Sequence, residues 1–215
     1  MSKIAQAFDH GKAFIPFVTA GDPDLETTKE LLLVLQESGA DLIEIGIPFS
    51  DPVAEGIVIQ KADERALAAG TTTDKIFDMV ESIQDKMHVP MVFMTYANVI
   101  FVYGIEKFAK RSKEIGMSGV IIPGFVYCVS SLGVTGMRST INKGVAQMIE
   151  QVKKTKDIPC AIGFGISTPE QAKEMSEFSD GVIVGSAIVK LVETYGKECI
   201  KPVSEYVKSM KEAIS

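Results

Sequence analysis

Short β-branched and aromatic runs alternate along this chain with longer stretches of helical period, and that alternation limits the possible folds more than any other feature. Phe14-Ile15-Pro16-Phe17-Val18-Thr19 reads as a first strand closed by Gly21-Asp22-Pro23. Residues 24 to 38 then repeat leucine at helical spacing, with Asp22 or Asp24 available as the cap. Leu42 to Ile47 is a second strand, followed by helical stretches at 57–69 and 73–86 with Gly70 as the stop between them. Pro90 to Met94 and Gly119 to Ile122 are further strands around a helix at 105–115. The last third predicts a helix at 143–154, a strand at 158–162, a helix at 169–177 and a strand at 181–184. Helix is predicted again from Ser186, with Pro202 opening the terminal one. Strands ending in small residues recur as IEIG, AIGFG and VIVG, the mark of successive βα units in a β/α (TIM-type) barrel. No Gly/Ser- or Pro-rich linker interrupts the pattern, so a single domain over 1–215 is expected.

One segment breaks the rule. Residues 118 to 130, SGVIIPGFVYCVS, put two strand-like runs on either side of Pro123-Gly124 with no helix between. Parallel neighbours need a crossover of about a dozen residues, so these runs are not consecutive parallel strands. One long strand, a tight hairpin and a missing βα unit are the three solutions. The count of seven strand signals, one short of a closed barrel, favours the third.

Composition narrows the function. The 22 basic and 28 acidic residues give a net charge of −6 without blocks of one sign, which argues against a nucleic-acid partner. Cys128, Cys160 and Cys199 have no CxxC spacing and lie far from His10 and His88, so neither a disulfide framework nor a metal site is expected. No signal-peptide core and no membrane-length apolar run is present, and a cytoplasmic location is the expectation.

The chemistry centres on Leu42-Ile43-Glu44-Ile45-Gly46-Ile47. A carboxylate inside an apolar strand is costly to bury without a partner. Side chains alternate along a strand, so Glu44 points away from Ile43 and Ile45. Facing into a barrel near the carboxyl end of its strand, it becomes a candidate acid/base; the bland alternative is an ion pair or a carboxylate bonded to backbone amides. Glu55, between Ala54 and Gly56, is a second candidate or a solvated loop charge, and Asp51 before Pro52 reads as a turn residue. Gly163-Phe164-Gly165 and Gly185-Ser186 end two strands ahead of predicted helices, where backbone amides can hold a phosphate. Residues 133 to 138, GVTGMR, form a glycine-bracketed loop that could close over a ligand or be an ordinary connection. Phe17, Tyr96, Ile121 and Tyr127 fall near strand ends as an aromatic-lined pocket, with core packing as the default for any one of them.

The segments IPFVTAGDP (15–23), DLIEIGIPFSDPVAEG (41–56), MTYAN (94–98), SSLGVTG (130–136), IGFGIS (162–167) and GVIVGSAIV (181–189) together closely resemble the tryptophan synthase alpha chain family. The resemblance implies a barrel that cleaves indole-3-glycerol phosphate to indole and glyceraldehyde 3-phosphate by a retro-aldol reaction. It places Glu44 at the catalytic glutamate and Glu55 where the family typically has an aspartate near the indole N–H, the extra methylene moving the acid by about 1.5 Å. It puts Phe17, Tyr96, Ile121 and Tyr127 around the indole, Gly136, Gly165, Gly185 and Ser186 at the phosphate, and Thr135 on the lid. It implies no cofactor in this chain, and a pyridoxal-phosphate-carrying beta chain as partner in an alpha2beta2 heterotetramer.

The departure falls at the same break. Roughly 40 residues of the family pattern, more than one βα unit, are absent after Pro123, and Gly124 stands where an aspartate usually follows. A truncated, catalytically weak member that keeps phosphate binding or beta-chain docking is therefore the alternative function. A different phosphosugar barrel, an isomerase or aldolase, is a third; the inner strand ends hold no lysine for the Schiff base of such an aldolase.

Overall fold

The computed structural model describes residues 3–52, 55–122, 159–163 and 165–215. A helical turn, α1 (Lys3–Gln6), leads to β1 (Ala13–Thr19), α2 (Leu25–Glu37), β2 (Ile43–Gly46), α3 (Ile57–Ala68) and α4 (Thr73–Glu81). Then come β3 (Met91–Met94), α5 (Ala97–Tyr103), α6 (Ile105–Glu114) and β4 (Gly119–Ile121). Beyond residue 158 lie β5 (Ala161–Ile162), α7 (Pro169–Ser176), β6 (Gly181–Val184), α8 (Ser186–Tyr195) and α9 (Ile200–Ile214). The strand signal at 125–129 and the helix expected at 143–154 lie outside the described residues, as does the choice between strand, hairpin and gap after Ile122.

All pairings are parallel, in the order β4-β3-β2-β1-β6-β5. The first four strands follow one another in chain order, and the last two return to β1 from its other side. That is the order of neighbouring staves in a β/α barrel with helical crossovers, and among the described residues it accounts for six of them.

Strand alternation sorts the side chains into two layers. Phe14, Val18, Ile43, Ile45, Phe93, Val182 and Val184 turn outward into the large core under the helices. Ala13, Ile15, Leu42 and Val92 turn inward, with Ile121, Ala161 and Ile183 packed on them. Ile4 and Phe8, in and just after α1, close this inner layer at the amino ends of the strands. A Cβ on Gly119 would lie 3.2 Å from Ile4, and one on Gly181 would lie 3.2 Å from Phe8. The amino-terminal turn is thus a plug, which leaves the carboxyl ends of the strands for chemistry.

Local chemistry explains most element boundaries and the departures from expectation. Of the two aspartates offered as cap for α2, Asp24 does it, accepting the Thr27 amide at 2.8 Å. The expected helix at 73–86 ends at Glu81: the Ser82 hydroxyl donates to the Met79 carbonyl at 2.7 Å, and a separate 3-10 turn covers Gln84–Lys86. α5 has no periodic signal, and its β-branched run has modest helix propensity. Buried Ile100 ties it to the core, and Gly104 ends it at φ 95°. The terminal helix starts at Ile200, two residues earlier than expected, with Pro202 in its first turn where no intrahelical amide is needed. No helix among the described residues is long and apolar enough to cross a membrane.

Candidate active site

Glu44 is an inner-face residue of β2, in register with Phe17 of β1 and Val92 of β3. It is 3 % exposed. No hydrogen bond or ion pair reaches its carboxyl from any described residue, so neither form of the bland reading has a partner there. Burial alone lifts its proton affinity from the ordinary 4.5 to about 7. An acid poised there is present in both forms near neutrality, as general acid/base work requires.

One layer above, at the carboxyl ends, Phe17 packs with Ile59, Ala62 and Val189, and Val58 and Met94 flank them. The glycines at the ends of β2 and β6 make this possible. A Cβ on Gly46 would sit 2.5 Å from the tip of the Phe17 ring, and one on Gly185 would sit 3.3 Å from its base. Phe17 therefore lies between the strand that carries Glu44 and the one that leads to Ser186. Gly46→Ala is expected to push the ring out of this slot. The overpacking costs about 1–3 kcal/mol, read as a lower urea midpoint, together with a raised KM for the substrate; an unchanged midpoint would show that the slot has slack.

Glu55 is no solvated loop charge. The Tyr96 hydroxyl donates to its Oε2 at 2.5 Å, and Gln60 Nε2 donates to its backbone carbonyl at 2.8 Å. Desolvation raises its proton affinity, and the Tyr96 hydrogen bond acts in the opposite direction. Tyr96 is itself buried, with its ring 5.0 Å from that of Phe49 in the loop after β2. The sequence placed Tyr96 as one of four pocket aromatics; the structure gives it a polar duty as well, which no local pattern announces. Ile121, another of the four, packs on the inner layer with Val92. Asp51 is exposed and accepts from the Ser50 hydroxyl at 2.5 Å, as a turn residue would. Tyr127, Thr135 and Gly136 lie outside the described residues.

The two glycine ends prove unequal as anion sites. Gly163-Phe164-Gly165 does not lead straight into a helix: α7 begins at Pro169 behind a complete capping box, in which Thr168 accepts the Gln171 amide and Gln171 reaches back. Those amides are already engaged. Gly165 keeps its own positive φ of 70°, and a Cβ there would meet nothing within 4 Å. Gly185 caps α8 directly, Ser186 is the first helical residue, and among the described residues no side chain makes a capping bond there. The start of α8 is the one of the two open to an anion.

Two further groups have roles that sequence reading does not assign: Asp22 is offered there only as a helix cap, and Asp63 is not singled out. Asp22, 3 % exposed in the loop after β1, is gripped by Arg65 of α3 through a double hydrogen bond, Nε to Oδ1 and Nη2 to Oδ2, each 2.8 Å. Arg65 Nη1 also reaches Glu193 of α8 at 3.3 Å. Asp63, two residues before Arg65 on α3, is 5 % exposed. Burial, then the charge of Glu55, raises its proton affinity to about 7, against the opposing pull of the Phe49 amide. A single carboxylate inside the helical stripe Ile59, Ala62, Asp63, Ala66 was the available signal for it.

The comparisons with known proteins agree with the barrel fold. The family model of the tryptophan synthase alpha chain matches residues 4–124 and 123–215, and the two matches meet at Pro123-Gly124, where the strand pattern breaks. The tryptophan synthase alpha chain of Lacticaseibacillus casei is 39% identical over 255 aligned residues, covering 100% of this chain and 96% of the relative. That of Thermoanaerobacter sp. (strain X514) is 42% identical, covering 94% of each. The 255 positions of the first alignment exceed the 215 residues of this chain by 40, about the length of one βαβ unit. Among solved structures, the tryptophan synthase alpha chain from Legionella pneumophila subsp. pneumophila superposes with a TM-score of 0.82 at 32% identity, covering 100% of this chain and 97% of that one. Ligand-free tryptophan synthase from M. tuberculosis gives a TM-score of 0.86 at 26% identity, covering 100% and 99%. With a matching model from residue 4 to 215, a shared barrel and full-length relatives, the chain belongs to the tryptophan synthase alpha chain family.

Proposed function

We propose that this lyase of tryptophan biosynthesis breaks a carbon–carbon bond, cleaving indole-3-glycerol phosphate to indole and glyceraldehyde 3-phosphate. The observation that carries the reading is Glu44, a carboxyl sealed on the inner face of the barrel with no partner among the described residues and a proton affinity raised to about 7. In its protonated form it gives a proton to the indole ring carbon that bears the side chain, and the carboxylate left behind takes the proton of the adjacent hydroxyl. The carbon–carbon electron pair returns to the ring as the hydroxyl carbon becomes the aldehyde. Glu55, held by Tyr96, accepts the ring N–H as positive charge builds on that nitrogen. Phe17 and Ile121, with Tyr127, line the ring, while Gly185 and Ser186, with Gly165 and Gly136, hold the phosphate and Thr135 closes on Glu55.

Residues 1–215 act as one cytoplasmic domain in this reading. The chain holds no cofactor of its own and docks on a beta chain that carries pyridoxal phosphate, in an alpha2beta2 assembly. One of the similar M. tuberculosis structures is a tryptophan synthase in an aminoacrylate-bound form.

A second reading, weak catalysis with phosphate binding or docking retained, is favoured by the 40 positions of the Lacticaseibacillus casei relative that this chain lacks. Indole release by the purified chain, with and without a beta chain, separates the two. Turnover supports the first reading; a folded chain that binds a phosphate analogue or the beta chain but releases no indole supports the second.

A further inference from the structure

The buried face of α3 consists of Ile59, Ala62, Asp63 and Ala66. Three of these side chains are apolar, and the fourth is a carboxylate only 5 % exposed. Ala62, its neighbour, belongs to the cluster around Phe17, which places this face of α3 over the strand ends. A carboxylate so placed calls for a cation, and Arg65, two residues on, is committed elsewhere, binding Asp22 and Glu193, while Lys61, two residues back, is exposed. No ion pair joins Asp63 to any described residue. Among the described residues, the groups that act on it are Glu55 from the loop after β2 and Asp22 from the loop after β1, both carboxylates, with the Phe49 amide favouring its charge.

Three carboxylates thus share one partly dry region, and their supports differ. Asp22 has the Arg65 fork and Glu55 has the Tyr96 hydroxyl, whereas Asp63 has an amide alone. Facing carboxylates cannot all ionise freely, and the proton goes to the one with least support for its charge. We propose that Asp63 is a positioning residue for the second carboxylate: it holds the proton in this trio, and so leaves Glu55 ionised, bonded to Tyr96 and able to accept a substrate N–H. The electrostatics agree: burial and the charge of Glu55 both raise the proton affinity of Asp63, whereas Glu55 has the Tyr96 hydrogen bond to offset its own desolvation. When Asp63 does ionise, its charge is added beside Glu55 and raises the proton affinity of Glu55 in turn, which makes it a stronger acceptor from the Tyr96 hydroxyl and from a substrate N–H. The substrate N–H part of this inference rests on the function proposed above; the location of the proton does not.

Two experiments on the full chain test it. Infrared difference spectroscopy follows protonated carboxyls directly, and Glu44→Gln removes the other acid poised near neutrality. In that background one carboxyl is expected to titrate near neutral pH, and its signal is expected to vanish in the Glu44→Gln/Asp63→Asn double variant. A signal that survives in the double variant, or none in the single one, overturns the proposal whether or not the chain releases indole. In the catalytic arm, Asp63→Asn stands in permanently for the protonated form. The ratio of variant to wild-type kcat/KM is expected to fall by about threefold to tenfold between about pH 6 and about pH 8, because only the wild type gains a second negative charge beside the substrate nitrogen, corresponding to half to one unit of charge coupling. A ratio independent of pH identifies Asp63 as a packing residue and overturns the tuning role. Urea midpoints of the variants near pH 6 separate loss of folding from either outcome. Absence of turnover in every variant and in wild type would count against the proposed reaction, and the infrared result would still decide where the proton resides.

Discussion

Glu44→Gln is expected to lower indole release by about 10²–10⁴-fold, the usual contribution of a positioned acid/base, while making the chain more stable at alkaline pH. The first half follows from the loss of the buried acid that β2 carries on the inner face; glutamine keeps the volume and cannot exchange a proton. The second half follows from linkage. The proton affinity of Glu44 rises from the ordinary 4.5 to about 7 on folding. Below about pH 4.5 the group is protonated in both states and contributes nothing. Between 4.5 and 7 the unfolded chain releases this proton and the folded chain keeps it, so stability falls as pH rises. Above 7 the full cost remains, about 3 kcal/mol for a shift of this size. The variant is spared that cost and should show a higher urea midpoint near pH 8 and a flatter dependence of stability on pH. A variant that loses activity and stability together at alkaline pH would mean that Glu44 serves the fold through a partner, and the acid/base assignment would fall.

Arg65→Ala is expected to produce the largest loss of stability. It leaves Asp22, 3 % exposed, with a buried charge and no counter-ion. Removing one partner of a buried ion pair costs about 3–5 kcal/mol, and the lower end applies here because Arg65 is itself 31% exposed. The same side chain joins the loop after β1, the helix over the strand ends and α8, whose first residues are the open anion site. Loss of the tie is therefore expected to raise the KM for a phosphorylated substrate as well as to lower the urea midpoint. Arg65→Lys should recover little of either, because an ammonium cannot reproduce the two-toothed grip on Asp22. Full recovery by lysine would reduce Arg65 to a simple charge.

Much of the scaffold could be read directly from the chain. The strands at 14–19, 42–47 and 90–94 were visible because each is buried on both faces, which leaves an uninterrupted apolar run. Glu44 was visible for the complementary reason: one charge inside such a run has no local explanation. The helix-forming stretch 97–103 was not visible, since its β-branched residues favour a strand and only the docking of Ile100 settles the matter. The anion sites looked equivalent because both end in glycine. Only the capping box at Thr168 and Gln171 distinguishes them, and the position of that helix start, four residues past Gly165, is a matter of tertiary placement.

The sequence by itself determined the parallel α/β architecture, the break at Pro123-Gly124, the family and the identity of the first carboxylate. The architecture, the break and the carboxylate depend on local periodicity and on which residue types tolerate a dry strand, and the family on the resemblance of its motifs; all are written in consecutive residues. The tertiary structure decided what each carboxylate meets. Tyr96 reaches Glu55 across 41 residues, Arg65 reaches Asp22 across 43, and Asp63 pairs with no cation among the described residues. Charge and proton affinity are set by the distance to other groups and to water, and folding alone fixes those distances. A chain can therefore display its acids in sequence while the fold assigns each of them its proton.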